Sequence, residues 1–447
     1  MVVLAPEEWL DKLAEQLDKQ AAACAQRRRY VDGNAPLPEM GKNLRASWEA
    51  FQKKARTNWG ELVCTSMADR IVYSGVTVGG STATDEAVRA ARIARDNRLP
   101  VVVEDAVLDA LTTGHGFVVV GEQGGRAVVT AERPETVTVA RNSLQPWRAD
   151  AALKVVRSGE DLDVATLWLP GEVHRFERSH GLLSWTNRGD WRLVSSDMVG
   201  EGVPVFELDG AGGQLNGHTD LIDRINLVML WRLVIQSMQA FRQRAIKSPD
   251  GAEGLPEVDA EGNPIDWAAN FPPAPGALWD LPPGIEIWES QTTDLQGTLN
   301  AVKADVTQLA TVTRTPVFIM LPDSVNQSAS GADGAKDALA AKARKFIARQ
   351  KPVLEGVMLA ALRAEGVTEP GTIDVAFEPA DRVTLSEKAD AALKMQPLMS
   401  LRTLQREYLG WGPELIAADE AERRRAVGQA TLNRIAPPDQ AVTDGDL

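Results

Sequence analysis

The chain has 447 residues, 44% of them hydrophobic and 25% charged, and a formal net charge of -14. That length allows two to four domains or sub-domains with ordinary apolar cores. The acidic balance excludes a protein that grips nucleic acid by its phosphates, which needs clustered Lys and Arg. Either nucleic acid is irrelevant to this chain, or the chain must touch DNA without holding it.

The first residues, MVVLAPEEWLDKL, lack a basic stretch, an apolar run and a small-residue cleavage site. Retention in the compartment of synthesis is the expectation. Cys24 and Cys64 stand alone, without a second cysteine or histidine at ligand spacing. They read as reduced, partly buried thiols, not as a disulfide framework or a zinc site.

In chain order, residues 1–30 read as a helix, with Trp9, Leu10, Leu13 and Leu17 at helical spacing. Asp32-Gly33-Asn34 and the prolines Pro36 and Pro38 end it. The run Arg27-Arg28-Arg29 reads as a solvated face. Residues 43–73 predict one or two helices on the stripe Trp48, Phe51, Trp59, Leu62, Val63, Met67 and Ile71. Residues 85–98 predict another, closed by Pro100, and Val101–Thr113 follows as a helix until Gly114 and Gly116 break it.

From Phe117 the apolar period becomes that of strands. Short β-rich runs lie at 117–120, 127–129, 136–139, 153–156, 164–168 and 172–176, separated by turn residues at close intervals. This predicts an antiparallel meander, not a βαβ series. His115, His174 and His180 fall here singly and read as structural.

A short strand at Gly202–Phe206 leads through a Gly-rich loop, 210–217, into an apolar helix over residues 218–247. Its length admits a membrane span. Arg224, Asn226, Arg232, Gln236, Gln239 and Arg242 interrupt it, however, and a central Arg costs several kcal/mol in lipid. The favoured reading is a helix packed on two sides, by its own domain and by a neighbouring subunit. Residues 248–291 are rich in Pro and Gly and hold two short strands, 277–279 and 285–288: a compact excursion between helices.

A second helix spans about Asp294 to Thr313 on the stripe Leu299, Val302, Val306, Leu309 and Val312, and stops at Thr315-Pro316. Residues 316–334 read as a polar, flexible loop. A third long helix runs from about Lys336 to Arg363, with Pro352 expected to kink it. A strand at Thr372–Phe377, two or three polar helices over 384–432 and a disordered tail from Ala436 complete the chain. The fold class is α+β and mainly helical.

No catalytic constellation emerges. There is no Gly-rich loop ending in Lys-Ser or Lys-Thr, no G-x-S-x-G elbow, no H-E-x-x-H and no carboxylate-rich metal motif. Neither enzymatic activity, nor a cofactor, nor a metal is expected.

Four stretches, in this order, resemble the portal proteins of tailed double-stranded-DNA phages, in the branch known from phages of Gram-positive bacteria. The first is Arg29-Tyr30, Gly33, Leu37-Pro38, Asn58-Trp59 and Ser66–Arg70. The second is Gly202–Phe206 with the apolar helix ending Ala240–Arg244. The third is Leu309–Pro316 with Asn326, Ser330 and Gly331, and the fourth is Phe377-Glu378-Pro379 through Ser386 to Lys394. The gap between Asn326 and Ser330-Gly331 is longer than the family pattern.

The resemblance implies a ring of subunits, usually twelve, at one capsid vertex of the virion, assembled in the host cytoplasm. It implies a wing over 1–217, a first stem helix over 218–247, a clip over 248–293 and a second stem helix over 294–315. A channel loop over 316–335, a long kinked helix with a wing strand over 336–380, and a crown with a flexible tail over 381–447 would follow. Asn326, Gln327, Ser328, Ser330 and Lys336 would approach DNA in the channel loop. Leu230, Trp231, Val234, Met238, Phe241, Val302, Val306 and Leu309 would pack between subunits of the stem, and Trp279 and Trp288 would contact partners from the clip. The implied partners are further copies of the chain, double-stranded DNA passing without sequence specificity, the terminase large subunit, a head-tail adaptor, and the major capsid and scaffold proteins, with no membrane. A virion ring or adaptor protein that conducts no DNA is the alternative.

Overall fold

The computed structural model of the chain describes residues 4–38, 49–159, 162–179, 191–240, 244–247, 257–258, 262–264, 266, 286–289, 294–322, 329–381 and 385–435. The chain divides into two compact units. One comprises residues 1–36, 57–222 and 306–447, and the other residues 37–56 and 223–305.

In the larger unit, helix α1 (Pro6–Val31) buries Leu10, Leu13, Leu17 and Cys24. The three leucines face the five-stranded antiparallel sheet β4 (Val137–Arg141), β5 (Ala149–Ser158), β6 (Leu162–Leu169), β7 (Glu172–Ser179) and β8 (Arg192–Met198). The shared core joins the α1 leucines to Leu153, Val155, Leu167 and Phe176. Alternate residues of each strand point to one face, which is why this meander was legible from its period of two.

A second core collects α3 (Trp59–Ala68), α4 (Asp85–Asp96), α5 (Leu99–Thr113) and the three-stranded sheet β3-β2-β9, formed by Arg126–Glu132, His115–Gln123 and Val205–Asp209. Thr84 caps α4, its hydroxyl accepting from the Ala87 amide at 3.2 Å. Pro100 does not close α4, as its position suggested; it lies in the first turn of α5, where its missing N–H is harmless. The turn between the helices is made by Arg98 in the left-handed region, φ 50°.

Of the arginine run, Arg29 is exposed as expected, but Arg27 and Arg28 are not part of a solvated face. The Arg28 guanidinium donates to Glu135 at 2.7 Å and to Asp109 at 2.9 Å, with about a fifth of each side chain exposed. Arg27 donates to the Thr113 carbonyl. Helical periodicity could not show this, because the acceptors come from α5 and from the turn before β4.

Strand β1 (Tyr73–Val78) carries no strong alternation. It pairs antiparallel with β12 (Ile373–Phe377), nearly 300 residues later in the chain. Both Cys24 and Cys64 are buried and free. Burial pushes their thiols up to about 11 and about 12.

The expected helix over 218–247 is shorter. Helix α6 ends at Ala240, and Arg244–Lys247 is a strand, β10, paired antiparallel with β11 (Glu286–Glu289). The partner expected for that second strand, 277–279, lies outside the described residues, as does the tail from 436. Pairing over some 40 residues of sequence leaves no mark in the local period, so helix and strand could not be separated there.

The expected loop over 316–335 is shorter as well. Helix α7 (Gln296–Thr313) is followed by a single turn, α8 (Val317–Met320), and helix α9 already begins at Ala329 and runs to Ala364, continuing through Pro352. Gly331 and Gly334 read as breakers, but each costs only about 1 kcal/mol in a helix, which alanine-rich flanks and a packed continuation offset. The chain closes with α10 (Leu385–Met395), α11 (Leu401–Leu404), a π-helical turn at Gln405–Leu409, and α12 (Pro413–Ile435).

Candidate ring and channel surfaces

Helix α6 starts from an anchored loop. The Gly210 amide donates to the Gly114 carbonyl at 3.0 Å, and the Gln214 amide donates to the Leu111 carbonyl at 2.7 Å. A Cβ on Gly210 would stand 1.9 Å from the Ala110 carbonyl oxygen, so only glycine lets the loop lie directly on the end of α5. Gln350 of α9 adds a side-chain amide to the Asp209 carbonyl at 2.9 Å.

Along α6 apolar residues occur on every side. Ile222, Ile225 and Leu230 are fully buried, Leu227, Val228, Met229, Leu233, Val234 and Ile235 are half-buried, and Trp231 is 52% exposed. Met238 is exposed too. Arg224, which interrupts the apolar run, pairs with Asp305 of α7 at 2.8 Å. In α7, Val306 and Leu309 are fully buried and Val302 is half-buried. Leu230, Val306 and Leu309 are therefore core residues of the single chain and offer no surface to a neighbour. Their apolar character could not reveal this, because subunit core and subunit interface ask for the same side chains. Phe241 lies outside the described residues.

The end of α7 is closed by two hydrogen bonds and a left-handed residue. The Thr313 hydroxyl donates to the Leu309 carbonyl at 2.8 Å, the Thr315 amide donates to the Ala310 carbonyl at 2.8 Å, and Arg314 turns the chain through the left-handed region at φ 57°. The Lys342 ammonium of α9 then donates to the Thr313 carbonyl at 2.6 Å. A cation on the terminal carbonyls complements the helix dipole. Burial first, and the Arg314 charge second, pull the Lys342 pKa down to about 8, against an opposing effect of Cys64. Nothing in the local sequence marks Lys342, which lies among alanines on α9.

Asn326, Gln327 and Ser328 lie outside the described residues. Ser330 belongs to the first turn of α9, not to a loop, and Lys336 lies exposed on the same helix. Trp279 lies outside the described residues, whereas Trp288 on β11 is exposed, opposite Ala245 of β10.

His115 and His174 are tied into local networks, and His180 lies outside the described residues. His115 Nδ1 lies 2.6 Å from Glu207, which also accepts from Arg141 at 2.6 and 2.8 Å. Burial works against the Glu207 carboxylate, but hydrogen bonds from Arg141 and His115 overcome it and hold its pKa below the usual range. His174 contacts Ser196 at 2.8 Å and Glu172 at 3.1 Å. Among the described residues, no cluster of His, Cys, Asp or Glu is disposed to hold a metal ion, and no helix is long and apolar enough to cross a membrane.

The model of one family, described as phage portal protein, SPP1 Gp6-like, matches residues 10–411. The chain belongs to the phage portal protein family. This portal protein is therefore a structural, ring-forming subunit of a capsid vertex. No curated protein sequence matches it. Among solved structures, it is similar to a chain in the virion of a native gene transfer agent particle, at 14% identity and TM-score 0.43, covering 87% of this portal chain and 99% of the other. It is also similar to chains in the neck of the native particle computed with C12 symmetry, at 13% identity, TM-score 0.44, covering 85% and 97%. The neck of the empty particle computed with C6 symmetry gives 13% identity and TM-score 0.47, covering 86% and 98%. These likenesses are distant, and membership rests on the family model.

Proposed function

We propose that twelve copies of this portal protein close around a channel through which double-stranded DNA enters and leaves the capsid. In this reading the chain is a conduit and docking platform, not a catalyst. It assembles in the host cytoplasm, on capsid and scaffold proteins, and receives first the terminase motor and later a head-tail adaptor. Residues 1–217 act as wing, α6 and α7 as stem, 248–293 as clip and the helices after 381 as crown. The segment between α8 and α9, carrying Asn326, Gln327 and Ser328, faces the DNA with small polar side chains.

The observation that carries this reading is α6. Its apolar residues occur all round the helix, yet Trp231 and Met238 remain exposed in the single chain. A helix apolar on all sides needs cover on all sides, and a closed ring supplies it from the next copy. The net charge of -14 supports free sliding, since each captured phosphate would deepen a well that DNA must climb out of.

Electron microscopy of the purified protein tests this. Closed rings with an axial hole wide enough for a duplex, predominantly twelvefold, are expected. Monomers, or rings without a passage, would reject it. Replacing 321–328 with a Gly-Ser linker should leave rings intact and impair packaging.

A further inference from the structure

The loop that leads into α6 holds two dipeptides of the same reactive kind. Asp209-Gly210 stands at its start and Asn216-Gly217 at its end, the latter the single Asn-Gly pair in the chain. In such a pair the backbone nitrogen of the glycine can attack the side-chain carbonyl carbon of the residue before it. Glycine permits this because it has no Cβ to hinder the approach and restricts the backbone least. Both reacting groups belong to one molecule, so proximity lowers the barrier without a catalyst. The fold decides whether either pair has the freedom to react.

The first pair is locked. The Gly210 amide, which would have to be the nucleophile, donates to the Gly114 carbonyl at 3.0 Å. Asp209 Oδ1 accepts from the Ala211 amide at 2.9 Å and lies 3.5 Å from the Arg141 guanidinium. The Asp209 carbonyl accepts from Gln350 at 2.9 Å. The Ala110 carbonyl stands directly against Gly210, so the peptide has no room to turn. Bringing the Gly210 nitrogen onto the Asp209 carboxyl would break these contacts.

The second pair is open. Leu215 is buried and anchors the loop, and the His218 amide donates to the Leu215 carbonyl at 2.9 Å. Asn216 and Gly217 therefore occupy the two central positions of a tight turn, and both are exposed. Gly217 sits at φ 76°, and a Cβ there would meet nothing within 4 Å. Among the described residues, neither the Gly217 amide nor the Asn216 carboxamide has a hydrogen-bond partner. The carboxamide lies beside Gly212, which has no side chain to hold it.

We propose that Asn216 is a site of self-modification, which deamidates spontaneously in the folded protein. Loss of the Gly217 amide proton to solvent base lets its nitrogen bond to Asn216 Cγ, and the Cγ–NH2 bond breaks as ammonia leaves with a proton from solvent. The five-membered imide so formed takes up one water. Opening at Cγ gives an aspartyl residue, and opening at the main-chain carbonyl gives an isoaspartyl residue, whose backbone is one carbon longer. The balance is one water consumed, one ammonia released and one carboxylate gained. That charge arrives just before the first turn of α6, which starts at Thr219, where the helix dipole favours an anion. The aspartyl product therefore keeps the fold, and the chain acquires an irreversible mark of age at the entry to this helix.

Mass spectrometry tests it. The folded full-length protein and a synthetic peptide spanning residues 205–222 are incubated side by side at mildly alkaline pH and then digested. Conversion at position 216, read as the amide-to-acid mass increase and the appearance of isoaspartate, should run in the protein at no less than a tenth of its rate in the peptide, and faster as pH rises. Isomerisation at Asp209 should be slowed more than tenfold by the fold. Asn216→Gln, which could close only a six-membered imide, should abolish the conversion with an unchanged circular dichroism spectrum. Slowing at position 216 by more than tenfold, or as much isoaspartate from Asn216→Gln as from wild type, would overturn the assignment. Asp209 reacting as fast in the protein as in the peptide would show that the hydrogen bonds of the loop do not set the contrast, and would sink the proposal as well.

Discussion

The ammonium of Lys342 sits 2.6 Å from the backbone carbonyl of Thr313, joining the middle of one helix to the last turn of another. The contact is largely buried, and the lysine is held at a pKa of about 8. A lysine whose folded pKa lies below its unfolded value penalises folding while it is charged. The penalty is fully present below the folded pKa and is relieved as pH rises toward the unfolded one.

From this follows a pH dependence. Between pH of about 8 and 9 the stability contributed at Lys342 should rise with pH. Above that window the buried thiols oppose it, since Cys24 and Cys64 keep their protons up to about 11 and about 12 when folded and lose them earlier when unfolded. The difference in urea midpoint between wild type and Lys342→Met should therefore change across pH 8 to 9. A difference independent of pH would show that Lys342 is ordinarily charged in the fold. Hydrogen exchange in Lys342→Met should also quicken at Thr315, whose amide closes the last turn of α7.

The loop on which α6 starts should be intolerant of a single methyl group. Gly210→Ala places its Cβ against the Ala110 carbonyl, where backbone and not a movable side chain stands in the way. A loss of about 3 kcal/mol or more is expected, at the upper end of overpacking costs. Gly428→Ala in α12, where the added Cβ meets nothing within 4 Å, should instead gain about 0.5–1 kcal/mol. Denaturant titration of the two variants measures the contrast directly.

Arg28 bridges two carboxylates that its removal would strand. Burial already holds the Asp109 carboxyl above its usual range despite the guanidinium beside it. Arg28→Met should lose about 3 kcal/mol, as expected when one partner of a mostly buried ion pair is deleted. Adding Glu135→Gln and Asp109→Asn should recover part of that loss, which a thermodynamic cycle would read out.

Two adjacent positions on α6 should separate folding from assembly. Leu230→Glu puts a charge where the side chain is fully buried and should unfold or aggregate the subunit. Trp231→Glu lies at the surface of the single chain and should leave the circular dichroism spectrum unchanged while preventing ring closure. Rings of normal yield from Trp231→Glu would remove α6 from the subunit contact.

The amino-acid sequence by itself determined the α+β class, the meander from Phe117 onward, the long apolar helix near residue 230 and its partner ending at Thr313. Each is written in a local period of 2 or 3.6 residues, because one face of the element is apolar. The order of four short stretches also sufficed to point to the portal family, which the match over residues 10–411 establishes.

Only the tertiary structure decided how the ends meet. It made Arg28 a buried bridge, paired β1 with β12, turned residues 244–247 from helix to strand, and drew the start of α9 back to Ala329. It also placed Leu230, Val306 and Leu309 inside the subunit while leaving Trp231 at its surface. The reason is common to all of these. Hydrogen-bond partners, ion pairs and burial against distant segments depend on where the chain returns in space, and a period of a few residues carries no record of that return.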